Sequence, residues 1–202
     1  AWLTRRIRLD WLRTSRGALR EGVIYDLIGR LGHEDVRERT INALMQRYSV
    51  DAVMGEVMAR RARTLFKASR EGWSLHKSDQ GLLERTALTH EIGMAISHKH
   101  YQRHTAYLLQ NADLPGFAQG EQEHMALLAA TQRGKLDHPL WAAVADTDRT
   151  RLLRLVTLFR LALIFKYAEQ LEALPEFAVH AHSDGIRLDF PSGWMDRHPL
   201  TA

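Results

Sequence analysis

Apolar residues recur at helical spacing through most of this 202-residue chain. Between residues 33 and 174 they return every three or four positions with charged residues between them, which is the pattern of amphipathic helices. The pattern predicts six helices, which begin near residues 33, 51, 79, 100, 119 and 148. The sixth is expected to end near residue 174 because Pro175 cannot continue a helix. The chain is therefore predicted to be mainly α-helical.

The spacing changes after Pro175. Apolar residues then alternate with polar ones in two short runs, residues 177–181 and 186–190, on either side of Ser-Asp-Gly. A period of two is typical of a strand, and the central turn residues favour an antiparallel hairpin. Two lone strands are only marginally stable in water, so the hairpin is predicted to start a small β-containing subdomain. The predicted fold is a bundle of about six helices followed by the start of this subdomain.

Composition and charge exclude several classes of protein. The chain has no cysteine, which excludes disulfides and thiolate zinc sites and fits a cytoplasmic location. The net charge of +4 arises within residues 1–30, which contain seven arginines and three acidic residues. The remainder of the chain is balanced, so a specific nucleic-acid partner is not expected. Any anion-binding site must be local.

No membrane segment is expected either. The longest apolar-rich stretch, residues 152–168, is interrupted by Arg154, Arg160 and Lys166 and is too short and too charged to cross a bilayer. The first residues also lack the apolar core of a signal peptide. These observations predict a cytoplasmic protein without a membrane partner.

The segment with the most informative chemistry lies between residues 89 and 105. Four histidines and two cations fall within fifteen positions, namely His90, His98, Lys99, His100, Arg103 and His104. His90 is followed by Glu91, and the pair is expected to lie inside an apolar helix. A buried ionisable pair needs a partner or a function. For the other residues, an ordinary solvated helix face stays open as an alternative.

The His90–Glu91 pair resembles part of the HD superfamily of metal-dependent phosphohydrolases. There, a His-Asp pair, an earlier helical histidine and a late helical aspartate bind the metal. Here Glu91 replaces the aspartate, the second predicted helix has no histidine, and residues 151–167 contain no carboxylate. No metal site is therefore predicted, although a stand-alone HD-type hydrolase stays open as an alternative.

Four blocks of sequence are similar to the exopolyphosphatase and guanosine pentaphosphate phosphatase family. They begin at residues 17, 35, 90 and 106 and read Gly-Ala-Leu-Arg-Glu-Gly, Asp-Val-Arg-Glu-Arg-Thr, His-Glu-Ile-Gly and Ala-Tyr-Leu-Leu-Gln-Asn-Ala-Asp-Leu-Pro-Gly-Phe. The resemblance covers about residues 16–195 in the same order. The first fifteen residues do not match.

The resemblance implies the carboxyl-terminal part of a longer hydrolase. Residues 1–30 would be a remnant of a second actin-like domain, and residues 31–174 an HD-like helical domain. Residues 175–202 would be a truncated small α+β domain. The catalytic residues and magnesium ion would belong to actin-like domains that this stretch lacks. The fragment is thus expected to bind no cofactor and to be inactive alone.

The resemblance also implies a basic channel for inorganic polyphosphate and a homodimer. The residues expected to bind polyphosphate are Arg20, His90, Glu91, His98, Lys99, Arg103 and His104. Lys99 and Arg103 are four positions apart and are expected to share a helix face if that helix starts early. For Arg20, a salt bridge with Glu21 is an open alternative.

Further alternatives concern the substrate and the role of the region. Either inorganic polyphosphate or guanosine pentaphosphate fits the family, because selectivity would lie in the absent catalytic cleft. A purely structural helical scaffold, with the histidines at an interface, also fits the sequence. Gln102 and Gln132 stand where the family often has histidines, which reduces the local positive potential.

Overall fold

The structure is a computed structural model that describes residues 36–169 and 175–197. Within these residues six helices form a bundle: α1 (Val36–Arg47), α2 (Ala52–Ser69), α3 (Lys77–Thr89), α4 (Tyr101–Asn111), α5 (Gln119–Ala130) and α6 (Asp146–Glu169). Short 3₁₀ helices, Ile92–Ala95 and Pro139–Ala143, precede α4 and α6. Strands β1 (Ala178–Ala181) and β2 (Ile186–Asp189) then pair antiparallel and precede the short α7 (Trp194–Arg197). The prediction of a helical bundle followed by a small β region is confirmed.

Capping groups explain where the helices begin. The Asp51 carboxylate accepts the backbone N–H groups of Val53 and Met54 at the start of α2, as its position predicts. Helix α3 begins at Lys77, two residues before the predicted start at Asp79. The Asp79 carboxylate instead reaches back to the His76 backbone N–H at 2.8 Å, so it stabilises the first turn from inside the helix.

Helix α6 passes through the core and contacts α2, α3 and α5. Because it has neighbours on several sides, apolar residues surround most of its circumference, as in a buried helix. Its fully buried apolar residues are Leu152, Leu155, Val156, Leu158, Phe159 and Ala162. Each large side chain of this kind stabilises the fold by about 1.5–3 kcal/mol relative to exposure. The packing of α6 therefore fixes the position of the side chains along it.

Two blocks that carry the family resemblance meet in space. Arg37 of α1 donates to the Gly116 carbonyl at 2.9 Å and to the Glu121 carboxylate at 3.0 Å. Thr40 donates to the Pro115 carbonyl at 2.9 Å. Gly116 has a φ of 86°, a conformation that favours glycine. These sequence blocks are therefore explained by a structural contact between α1 and the turn that precedes α5.

The hairpin packs against the helical bundle. Trp73, just after α2, donates from Nε1 to the His182 carbonyl at 2.6 Å. Phe165 of α6 joins an aromatic cluster with Phe177, Phe190 and Trp194, whose ring centroids lie 4.5–5.9 Å apart. This packing explains how a two-stranded sheet remains stable.

Some predictions fall outside the described residues. These are the structure of residues 1–35, including Arg20, and the predicted end of the sixth helix near residue 174. The domain boundaries at residues 30 and 174 stay predictions. Among the described helices, none is both long and apolar enough to cross a membrane.

Candidate functional site

A buried ionic cluster lies at the turn that follows α3. Helix α3 ends at Thr89 with His90 as its C-cap, so the prediction that His90 and Glu91 lie inside a helix is wrong. His90 is 0% exposed, and Lys166 of α6, which approaches the same turn, is 2% exposed. The Glu91 side chain is largely buried. His90, Glu91 and Lys166 are called the buried triad below.

Hydrogen bonds define the geometry of the buried triad. Lys166 Nζ donates to Glu91 Oε1 at 2.7 Å and lies 3.2 Å from His90 Nε2. His90 Nδ1 lies 2.6 Å from the Ala87 carbonyl, to which it donates its proton. His90 Nε2 also lies 3.4 Å from Glu91 Oε1. The Glu91 carboxylate therefore faces the Lys166 ammonium and the His90 imidazole together.

The triad changes the ionisation of Glu91. Burial alone would raise the pKa of the Glu91 carboxyl, but His90 and Lys166 outweigh this effect through hydrogen bonds and positive charge. They hold the pKa at about 2. The carboxylate therefore stays ionised at neutral pH inside the protein.

The turn is held by residues from distant parts of the chain. The His90 carbonyl accepts hydrogen bonds from Thr105 Oγ1 at 3.1 Å and Gln132 Nε2 at 3.3 Å. Thr105 Oγ1 also accepts the Gly93 backbone N–H at 3.0 Å. A Cβ atom on Gly93 would overlap the Tyr101 carbonyl oxygen and the Thr105 nitrogen. Helix α3 ends here because side chains bind the carbonyl that the next helical turn would use, and because α4 packs directly on the turn.

The remaining predicted site residues lie on the segment that leads into α4 and on its first turn. His98, Lys99, His100 and Arg103 are exposed, and His104 is half-buried. Lys99 and Arg103 were expected to share a helix face only if the helix starts early, and this condition is not met, because α4 begins at Tyr101 and Lys99 precedes it. His100, directly before the helix, has a φ of 60°, which turns the chain at this point.

Lys99 and Arg103 place two positive charges near the start of α4. Among the described residues, Lys99 and Arg103 form no ion pair with a carboxylate. Burial, followed by the nearby charge of Arg103, lowers the pKa of His138, and Asp137 opposes this shift. We call Lys99 and Arg103, with the neighbouring His98 and His104, the basic surface.

The structure thus separates the predicted site residues into two groups. His90 and Glu91 lie inside the protein, where their contacts are with Lys166 and with the backbone. The basic surface is open to solvent. Sequence reasoning missed Lys166, although a lysine among buried apolar positions of the sixth helix was a signal that a buried carboxylate lay nearby.

The buried triad is a closed ionic cluster. A metal bound by His90 Nε2 and Glu91 would need the position that the Lys166 ammonium occupies between them. Within residues 36–169 and 175–197, no three histidine, aspartate or glutamate side chains are placed to hold a metal ion. The triad can neutralise a buried charge and fix a turn, but it has no open position for an activated water.

The fold and site together define a mainly helical module with a closed ionic centre and a basic surface. A family model described as Ppx/GppA phosphatase, domain III, matches residues 36–202. This chain belongs to that phosphatase family.

Curated relatives agree with the family match. A guanosine-5'-triphosphate,3'-diphosphate pyrophosphatase of Pseudoalteromonas translucida is 34% identical over 97% of this chain and 39% of that protein. The protein of the same name from Aeromonas hydrophila is 36% identical over 96% of this chain and 39% of its own length. The chain therefore spans about 39% of the length of these relatives.

The lowered pKa of Glu91 predicts a loss of stability in acid. The unfolded chain has the ordinary Glu pKa of 4.5 and the folded chain a value of about 2, so the stabilisation is present above pH 4.5 and is lost as the pH falls towards 2. We expect this carboxyl group to contribute on the order of 3 kcal/mol across that range. Urea unfolding at several pH values gives the free energy of unfolding of the unaltered chain and of Glu91→Gln, and the two pH dependences are compared. An identical pH dependence in the two proteins would contradict the prediction.

Removal of the buried cation should be more harmful than removal of the whole ion pair. Lys166→Met leaves the Glu91 carboxylate buried without a cation and is expected to cost about 3–5 kcal/mol in the free energy of unfolding. Adding Glu91→Gln should recover part of this loss, because no unpaired charge remains. Lys135→Met, at an exposed lysine, serves as the control. Additive effects of the two substitutions would show that the side chains are not coupled.

Proposed function

We propose that this chain is the substrate-holding region of a guanosine pentaphosphate phosphatase, and that it binds phosphate chains without cleaving them. The observation that carries the proposal is the basic surface, in a chain that belongs to the Ppx/GppA phosphatase family. The same region of an exopolyphosphatase is the alternative. The names of the relatives favour guanosine pentaphosphate.

The chemistry of the basic surface suits a run of linked phosphates, whether the triphosphate of guanosine pentaphosphate or a longer polyphosphate. Such a ligand carries many negative charges, so it is bound by spaced cations and hydrogen-bond donors better than by one deep pocket. Lys99 and Arg103 supply two charges from neighbouring parts of the chain, and described carboxylates do not compete for them. His98 and His104 add hydrogen-bonding groups beside them.

The buried triad supports the second half of the proposal, binding without cleavage. Lys166 fills the position that would make His90 and Glu91 a metal site. In this proposal hydrolysis and magnesium binding belong to the part of the longer relatives that the present chain does not span. The triad holds the turn from which the basic surface begins.

A binding measurement tests the proposed function. Purified chain is expected to bind sodium polyphosphate with an affinity that falls as salt rises, because bound cations are released. Lys99→Glu and Arg103→Glu should each weaken binding by about tenfold and lower the salt dependence. Arg39→Glu, at an exposed arginine of α1, is the matched control.

Three results would contradict this function. Magnesium-dependent release of phosphate by the purified chain would show that it cleaves its ligand. An equal loss of binding in the Arg39→Glu control would show that the basic surface is not the site. Unchanged polyphosphate binding in both test variants would favour the purely structural scaffold.

Homodimerisation through α6 is part of the proposal. Leu153 and Ile164 are 43% and 39% exposed on one face of this helix, although both are large apolar residues. Burial of this face against a second copy would remove it from water. Leu153→Glu is expected to shift the chain from dimer to monomer in sedimentation velocity, whereas Val53→Glu, at an exposed apolar residue of α2, is expected to leave the dimer intact. A monomeric starting protein would contradict the prediction.

A further inference from the structure

Arg133 lies in the segment that follows α5 and contacts two aromatic rings. Its guanidinium carbon lies 5.8 Å from the centroid of the Tyr101 ring and 5.4 Å from that of the Tyr167 ring. The residue is nevertheless exposed to solvent. The side chain is therefore oriented by the two tyrosines and still open to a ligand. Arg133, Tyr101 and Tyr167 are called the tyrosine clamp below.

The clamp is anchored to the buried triad. Tyr101 is only 4% exposed, so its ring has little freedom to move. Lys166 Nζ lies 5.7 Å from the centroid of the Tyr167 ring, and the same ammonium is fixed by Glu91 at 2.7 Å. Tyr101 thus belongs to the buried part of the structure, whereas the Tyr167 ring, which is 36% exposed, lies at the surface of α6.

The clamp also lies beside the basic surface. Gln132, the residue before Arg133, binds the His90 carbonyl, and this contact fixes the start of the segment to the turn after α3. At the far end of the segment, burial and then the charge of Arg103 lower the pKa of His138. Tyr101 itself is the first residue of α4. Arg133 therefore lies beside the first residue of α4, directly after the residues proposed to hold the phosphate chain.

An arginine held in this way is suited to bind phosphate. Both ring centroids lie within cation–π range of the guanidinium carbon, and the planar fork of N–H donors on an arginine can bind two phosphate oxygens together. Less side-chain freedom is lost on binding because the group is already oriented. Among the described residues, Arg133 forms no ion pair with a carboxylate that would compete with the ligand.

We propose that Arg133 is a phosphate anchor, whose guanidinium is oriented by the tyrosine clamp and donates two hydrogen bonds to one phosphoryl group of the chain held by the basic surface. This proposal rests on the proposed function and adds a binding residue from the segment after α5. It also gives Lys166 and Tyr167 a positioning role, because they act on the ligand only through Arg133.

The test compares charge with orientation. Arg133→Met removes the charge and the oriented donors. It is expected to weaken polyphosphate binding by about tenfold and to lower the slope of log affinity against log salt concentration by about one. Arg133→Lys keeps the charge and loses the planar donors, so the affinity should fall several-fold while the salt dependence is unchanged. Tyr167→Leu keeps Arg133 but removes one of the two rings of the clamp. Its affinity for polyphosphate should also fall several-fold while the salt dependence is unchanged.

A second arginine that lies near an aromatic ring is the matched control. Arg149 is also exposed and lies 5.7 Å from the Trp141 ring, so Arg149→Met removes the same charge and the same kind of ring contact. Its affinity for polyphosphate is expected to stay within about twofold of the original, since it lies outside the clamp. Thermal unfolding of each variant checks that the fold is retained, and the exposed Arg133 variants suffice if Tyr167→Leu does not fold.

The outcomes separate this proposal from the proposed function. If the unaltered chain binds polyphosphate but Arg133→Lys binds equally well, or if Arg149→Met loses as much as Arg133→Met, the anchor is overturned and the basic surface stands. If the unaltered chain does not bind polyphosphate at all, the proposed function is overturned and the anchor with it.

Discussion

The ion pair between Lys166 and Glu91 is the interaction on which the rest of this structure depends. A carboxylate and an ammonium inside a protein each lose their hydration, and the loss is tolerated only when the two meet in good geometry. Here they meet at 2.7 Å, with His90 Nε2 as a further partner of the ammonium. The pair joins the long core helix α6 to the turn after α3. Because Thr105 and Gln132 bind the same turn, it also sets where α4 and the segment after α5 lie.

Charged groups occur both inside this protein, where they are paired, and on its surface, where they are exposed. Inside, Lys166 neutralises Glu91 and occupies the position that a metal ion would need. Outside, Lys99 and Arg103 are exposed to solvent, and Arg133 lies near the Tyr101 and Tyr167 rings. In the proposed function, one fixed turn supports a surface that binds phosphate chains, while the buried groups at the turn leave no open position for hydrolytic chemistry. The division fits a holding role within a longer phosphatase.

The sequence predicts the parts of the fold that depend on neighbouring residues. Helical periodicity identifies all six bundle helices, Asp51 identifies the start of α2, and alternation around the turn at residues 183–185 identifies the hairpin. The family resemblance is also carried by local strings. The contact of Arg37 with Gly116 explains why those strings occur together, although they lie far apart in the chain.

The candidate site depends on contacts that no local pattern reveals. The end of α3 was missed because the groups that bind the His90 carbonyl come from residues 105 and 132. The role of Lys166 was missed because its partner lies 75 positions away along the chain. The early helix start that would place Lys99 and Arg103 on one helix face does not occur, because the turn at His100 places the start of α4 after Lys99.

The metal content of the purified chain tests the central claim most directly. After incubation with manganese or zinc and dialysis, elemental analysis is predicted to find far less than one ion per chain, because Lys166 already occupies the cation position between His90 and Glu91. One tightly bound ion per chain that disappears in His90→Ala would contradict the account, since it would show that the triad opens to form a metal centre.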